Sequence, residues 1–285
     1  MLKHVRLFVN TIRTILPLFL LLTVLNAQTL DVLQLSHDAV TAGSSLLADP
    51  VLDPARLNQP IASKLHIGGW NWIAGINGVN LNWEQDHWAM GLRTVLVDDI
   101  EVRGDTPTSE PLSTSQYSLV MSSLARGFDL RGFQVGIGAS VLRERGLQSK
   151  AWGAGLHASV ASRLGDNIEI GAGIRHLGAM QALESEAADL PTDFWGRIDY
   201  HRKALTAGTE ISLSERPLRA GISYSLIHGV TVSTGFVLDA GESKTTFLPS
   251  AGLAIDREPF TIALAFTDLT HTLGSRQFFS LIWHY

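Results

Sequence analysis

From residue 64 to the end, the chain alternates between apolar and small or polar residues in short runs separated by polar turns. Side chains of an extended strand point alternately to opposite faces, so each run has one greasy face and one small or polar face. Phe133, Val135, Ile137, Ala139 and Val141 interleave with Gln134, Gly136, Gly138 and Ser140. Ile168, Ile170, Ala172 and Ile174 interleave with Glu169, Gly171, Gly173 and Arg175. Fourteen such runs can be marked, at 64–73, 76–84, 87–97, 115–126, 132–144, 151–164, 167–179, 192–201, 204–213, 217–227, 230–239, 244–255, 258–267 and 274–285. In the last run Phe279, Leu281, Trp283 and Tyr285 share one face, while Phe278 and Ile282 interrupt a second row of Arg276, Ser280 and His284. An aromatic-ended apolar face has no obvious place in a soluble domain, but it suits a strand between lipid and a polar lumen.

The other end points to export. Lys3, Arg6 and Arg13 precede the apolar stretch from Ile15 to Leu25 and then Asn26-Ala27-Gln28, the pattern of a cleaved secretory leader over residues 1–27. The run is short for the alternative, a single membrane-anchoring helix. Removing the leader leaves 19 basic against 27 acidic residues, a balance that argues against a nucleic-acid partner. The chain has no cysteine, hence no disulfide, thiolate metal site or lipid-anchor cysteine. No later segment holds the ~20 consecutive apolar residues of a spanning helix. In hydrocarbon every backbone group must be paired internally, so a chain of this kind enters a membrane only as a closed barrel.

Connection lengths favour the same architecture. Gln85-Asp86, Gly165-Asp166, Arg202-Lys203, His228-Gly229 and Asp256-Arg257 are tight and come after even-numbered runs, whereas Asp98 to Thr114 and Met180 to Pro191 are longer and come after odd-numbered ones. Ala74-Gly75 is the exception, being short where a longer loop is expected. Short turns on the periplasmic side and longer loops outside are the rule for outer-membrane barrels, which places both termini in the periplasm. A soluble sandwich or lipocalin-like barrel would also alternate, but charged residues make up only 17 % of the chain, against ~25 % in soluble domains. The fold class is therefore all-β: a 14-stranded antiparallel transmembrane β-barrel spanning 63–285 in a Gram-negative outer membrane.

Residues 28–62 do not alternate. Leu30, Val32, Leu33, Leu35 and Val40 fit a short helix, and Pro50, Pro54 and Pro60 break the stretch after it. A fourteen-strand ring is too wide for its own side chains to fill, so this segment is read as a short N-terminal periplasmic hatch that enters or caps the lumen. The alternative is an unanchored lead-in.

With its motifs set side by side, the sequence resembles a known family. Ala48-Asp49-Pro50 followed by Asp53-Pro54-Ala55-Arg56-Leu57 is similar to the start of the PorV/PorQ proteins, relatives of the FadL-like fatty-acid-transporter barrels; Asp53 stands where those have Asn, and Arg56 where they have Gly. Val97-Asp98-Asp99-Ile100, Gly104-Asp105, the stretch from Ser113 to Leu119, the stretch from Ser162 to Ile168, Arg175-His176-Leu177-Gly178, Leu190-Pro191-Thr192 and the closing stretch from Leu273 to Leu281 extend the likeness. The resemblance implies a plugged fourteen-stranded outer-membrane barrel serving type IX protein secretion and surface attachment, with secretion-system subunits or secreted proteins as partners. The related FadL-like function, a channel for small hydrophobic molecules, is the alternative.

No motif calls for chemistry. The histidines are scattered, without a metal-ligand spacing to an acidic partner. Gly136-x-Gly138, Gly153-x-Gly155 and Gly171-x-Gly173 lack the strand–turn–helix setting of a phosphate loop, and strand bending or close approach of a plug explains them better. No Gly-x-Ser-x-Gly elbow supports a barrel hydrolase, so the reading is non-enzymatic, with no cofactor. By parity the lumen receives Asn80, Asn82, Glu84, Arg93, Gln134, His157, Glu169, Arg175, Arg197, Asp199, Glu210 and Arg219, as a polar path or as opposite charges paired across strands and with the hatch. Of the seven tryptophans, Trp70, Trp72, Trp83, Trp88, Trp152 and Trp283 suit interfacial girdles, while Trp195 faces inward. Phe279, Leu281, Trp283 and Tyr285 are the expected signal to the barrel-assembly machinery, and Asp49, Asp53, Pro54, Ala55 and Leu57 form the hatch motif.

Overall fold

The computed structural model describes residues 38–46, 49–58, 63–72, 75–102, 113–146, 149–183, 186–213, 217–226, 229–240, 245–268 and 275–285. The expected leader, 1–27, and residues 28–37 of the expected hatch lie outside the described residues.

Fifteen strands are described: β1 Lys64–Asn71, β2 Ile76–Gln85, β3 Trp88–Val102, β4 Ser113–Leu130, β5 Phe133–Arg145, β6 Lys150–Leu164, β7 Ile168–Leu183, β8 Glu186–Asp189, β9 Asp193–Arg202, β10 Leu205–Ser212, β11 Leu218–Ser225, β12 Val230–Ala240, β13 Thr245–Arg257, β14 Phe260–Thr267 and β15 Arg276–His284. All but β8 make a ring in which each strand pairs antiparallel with its neighbours. β7 meets both β6 and β9, and the first and last strands close the wall from Lys64↔His284 to Asn71↔Gln277. Closure leaves the wall without an edge strand. The ring matches the fourteen alternating runs one for one. β8 is an addition: it pairs with the end of β7 inside the stretch expected to be the loop from Met180 to Pro191.

The loop expected from Asp98 to Thr114 is also corrected. β3 and β4 run on as a ladder to Val102↔Ser113, past a register shift at Asp98-Asp99 where Asp99 has φ +55°. One extra residue at a bulge breaks strict alternation, which is why the sequence pattern stops there. β7 holds a second bulge, where the pairing steps from Leu156↔Leu177 to Ala158↔Ile174 and His176 has φ +54°. Arg175 and His176 consequently both turn inward.

Tight turns gather at one rim, the turn end. Asp86-His87 and Arg131-Gly132 each carry two successive positive φ values, the geometry whose twist matches paired strands. Ser63 and Tyr285 meet at this rim, joined by the Tyr285 N–H to the Ser63 carbonyl at 3.0 Å. The opposite rim is the loop end.

The two faces divide as the alternation requires. Ile67, Val79, Leu92, Ile137, Trp152, Leu156, Ile198, Leu264 and Phe279 stand exposed on the outside, while the inward positions bury Asn80, Arg93, His157, Glu169, Arg197, Asp199 and Glu210. No helix among the described residues is long and apolar enough to cross a membrane; the strands carry the apolar surface.

Candidate functional site in the lumen

The described part of residues 28–62 lies against the inner wall. Helix α1, Ala39–Gly43, begins at Asp38, whose carboxylate caps it by accepting from Thr41 N–H at 2.9 Å. The Ala39 N–H donates to Ser280 Oγ at 2.9 Å, and Ser250 Oγ donates to the Gly43 carbonyl at 3.0 Å. Across the lumen a 3₁₀ turn, Pro54–Asn58, packs on β4, β5 and β6. There the Ala55 N–H donates to Ser159 Oγ at 2.8 Å, and the Asn58 amide donates to the Phe128 and Val135 carbonyls at 2.8 and 2.9 Å.

Inward glycines make room for this segment. A Cβ on Gly221 would stand 1.9 Å from the Ser44 carbonyl oxygen, and one on Gly136 would stand 2.1 Å from the Pro54 carbonyl carbon. Close backbone approach therefore accounts for Gly136. Gly171 and Gly173 instead give space to the side chains of Arg197 and Trp195, and Gly153 to that of Met180.

Charge ties the turn to the wall. Asp53 is fully buried and receives Arg197 Nε at 2.7 Å and Arg56 Nε at 3.0 Å. Arg197 also binds Glu169 at 2.7 Å and pairs with Asp199, which Arg56 reaches at 3.0 Å. Arg56, which departs from the glycine of the PorV/PorQ motif, thus bridges the segment to β9. Asp49 caps the Val51 N–H at 2.7 Å and pairs with Arg93 at 3.6 Å. Pro54, Ala55 and Leu57 are buried in the same turn, with the Leu57 carbonyl 2.9 Å from His87 Nδ1.

A second charged cluster lies nearer the loop end. Arg175 makes a two-pronged contact with Glu210 at 2.8 and 3.0 Å, has Asp193 at 3.6 Å, and lies 4.4 Å over the Trp195 ring. The inward position expected for Trp195 is therefore that of a platform beneath a guanidinium. Trp70 corrects the girdle assignment: it is buried inside, with its indole lying over Gly78 and Phe278 beside it at 6.3 Å. Together with Val95, Leu119, Met121, Leu142, Met180 and Leu190 it forms an apolar cluster that Trp72, Ile76 and Tyr117 extend.

Ser140 and His157 form the pair that most resembles a nucleophile with its base, at 3.1 Å. The His176 backbone N–H donates to His157 Nδ1 at 3.1 Å, which places the imidazole proton on Nε2, the atom facing Ser140. A base must accept there, so this tautomer is the wrong one for hydrolysis. Among the described residues no group of three or more His, Asp or Glu side chains could hold a metal ion.

A closed fourteen-strand ring, apolar outside and charged within, defines the class: a β-barrel built to span a membrane. Solved outer-membrane channels share the fold. The toluene transporter TbuX of Ralstonia pickettii aligns with a TM-score of 0.59 at 10% identity, covering 88% of this chain and 98% of that one. The monoaromatic hydrocarbon channel CymD gives 0.57 at 11%, over 88% and 98%. A FadL homologue of Pseudomonas aeruginosa gives 0.54 at 12%, again over 88% and 98%. No protein-family profile and no curated protein matches the chain, so the PorV/PorQ resemblance finds no support there.

Proposed function

We propose that this chain is a FadL-like outer-membrane channel for small hydrophobic molecules, with the N-terminal segment as the plug of its lumen. The observation that carries the reading is the apolar cluster of Trp70, Val95, Leu119, Met121, Leu142 and Phe278 on the inner wall, where a water-filled pore would present polar side chains. The neighbours that share its fold include a toluene transporter and a monoaromatic hydrocarbon channel by name. Both termini lie in the periplasm in this reading, with lipid around the greasy wall. Expression in an outer-membrane host lacking channels of this kind should raise uptake of labelled toluene severalfold over an empty vector. Uptake equal to the empty vector would remove the proposal.

Cleavage after Ala27 yields the exported chain, and N-terminal sequencing of the mature protein checks it. Phe279, Trp283 and Tyr285 stand about half exposed on the outer face, where the assembly machinery can read them. Deleting Tyr285 should lower the amount of heat-modifiable barrel in the membrane, and unchanged levels would count against the signal. Service to type IX secretion rests on the sequence resemblance alone; recovery of secretion subunits with the native barrel would favour it over the channel.

A further inference from the structure

We infer that the outer wall of the β5–β6 hairpin, at the loop end, carries a binding site for a lipid with an anionic phosphate head. The inference rests on the wall facing lipid and is independent of what the lumen passes. Arg143 and Arg145 on β5 and Lys150 on β6 are exposed, while the alternate positions Leu142, Glu144 and Ala151 are buried. All three cations therefore point away from the lumen. Among the described residues none of them has an acidic partner. Glu144, the acid between the two arginines, faces inward and accepts from the Tyr117 hydroxyl at 2.9 Å. The cluster is local: on the same rim β3 ends in Asp98, Asp99 and Glu101, and Arg276 of β15 is tied to Asp268. Uncompensated cations grouped on a membrane-facing surface attract anionic lipid heads.

The hairpin holds them together. Arg145 stands opposite Lys150, and Arg143 opposite Trp152. Beyond this last pair the Gly146 N–H donates to the Ser149 carbonyl at 3.0 Å and closes the end of the ladder. Alternate residues of one strand are roughly 7 Å apart and neighbouring strands roughly 5 Å, so side chains as long as these can meet on one phosphate. A guanidinium presents a planar fork of donors that matches phosphate oxygens. Arg143 is already steadied, its guanidinium 5.5 Å from the centre of the Trp152 ring, which reduces the freedom lost on binding.

The acyl chains have their own wall. Toward the turn end the same outward rows become apolar, Val141 opposite Ala154 and then Ala139 opposite Leu156. Val141, Trp152 and Leu156 are 51%, 50% and 57% exposed, so nothing in the described chain covers this surface. Tryptophan on a lipid-facing wall sits at headgroup level, and the three cations lie at that level or beyond it. A free phosphate would engage the cations alone; a lipid engages both parts, its head on the cations and its chains along the apolar rows. In the orientation proposed above, that lipid belongs to the outer leaflet.

Equilibrium binding to the purified full-length barrel in non-ionic detergent at low salt tests this, with dioctanoyl phosphatidic acid and dioctanoyl phosphatidylcholine as probes. Phosphatidic acid should bind about tenfold tighter or more than phosphatidylcholine, whose choline cancels the phosphate charge. Inorganic phosphate at the same concentration should not displace it. Arg145→Gln should weaken phosphatidic acid about fivefold, the worth of one cation near an anionic lipid. Arg143→Gln, Arg145→Gln and Lys150→Gln together should bring the two lipid affinities level. Arg126→Gln removes a lipid-facing cation of the turn end, set over Trp88 and Phe128, and should leave the preference intact. All of these side chains are exposed on the outer wall, so the ring still closes, as heat-modifiable migration would verify. Equal affinities in the unaltered barrel, a preference that survives the triple replacement, or an equal loss in Arg126→Gln would overturn the site. Displacement by inorganic phosphate would overturn a lipid as its occupant. None of these outcomes bears on the channel reading.

Discussion

Around the Pro54–Asn58 turn the lumen is held by charge and backbone: Asp53 between two guanidiniums, and Pro54 pressed onto Gly136. Around Trp70 and Phe278 the wall is apolar, and Trp72 shares the rim with the ion pair of Arg276 and Asp268. The first arrangement is directional and fixes one segment in one place. The second is shape without direction, an apolar contact that Ala39 and Ala42 of the segment share. One ring of strands thus carries a charged fastening and an apolar contact on the same inner face, and substitutions in the two should fail differently.

The largest effect should come from Arg197→Ala, which leaves Asp53, Glu169 and Asp199 around a missing guanidinium. Breaking a buried pair of this kind costs about 3–5 kcal/mol, and the temperature at which the folded band converts on gels should fall sharply. Gly221→Val comes next, because its Cβ would collide with the Ser44 carbonyl. Overpacking costs about 1–3 kcal/mol, so the segment should leave while the wall stays paired, and single-channel conductance should rise. Conductance equal to that of the unaltered barrel would mean that the segment does not block the lumen, and the contrast between the two regions would lose its functional meaning.

Acid should loosen the fastening more mildly. Burial alone would raise the Asp53 carboxyl, but Arg197, then Arg56 and Arg175, outweigh it and hold its pKa below the ordinary value. A depressed folded pKa means that the contribution is complete above the unfolded value of about 4 and is lost as pH falls through the folded one. The stability difference between the unaltered barrel and Asp53→Asn should therefore hold from pH 7 to about 4 and narrow at lower pH. The smallest effect belongs to the apolar rim. Trp72→Ala removes a ring 4.9 Å from the Arg276 guanidinium, worth about 0.5–1 kcal/mol, and should shift unfolding slightly without changing conductance.

How much can be read from the residues alone depends on the reach of the signal. Period-two alternation is local, and it locates every wall strand and the inward placement of the polar and charged set from Asn80 to Arg219. Pairing is not local: Asp53 and Arg197 are 144 positions apart, and nothing in either neighbourhood names the other. Bulges hide for a related reason, since the additional inward residue, His176, looks like an ordinary break in pattern until its partner strand is seen. Trp70 reads as a girdle residue because tryptophan near a strand end fits both faces; Gly78 opposite it, open enough to receive an indole, is the clue that separates them.

The seam between β1 and β15 has a consequence for how the molecule comes into being. Its two sides lie at opposite ends of the barrel region, so no length of nascent polypeptide short of the whole can seal the cylinder. Insertion must await the final residues. A version cut one hairpin short should therefore not give a narrower cylinder; it should remain an open sheet, left to chaperones and proteases.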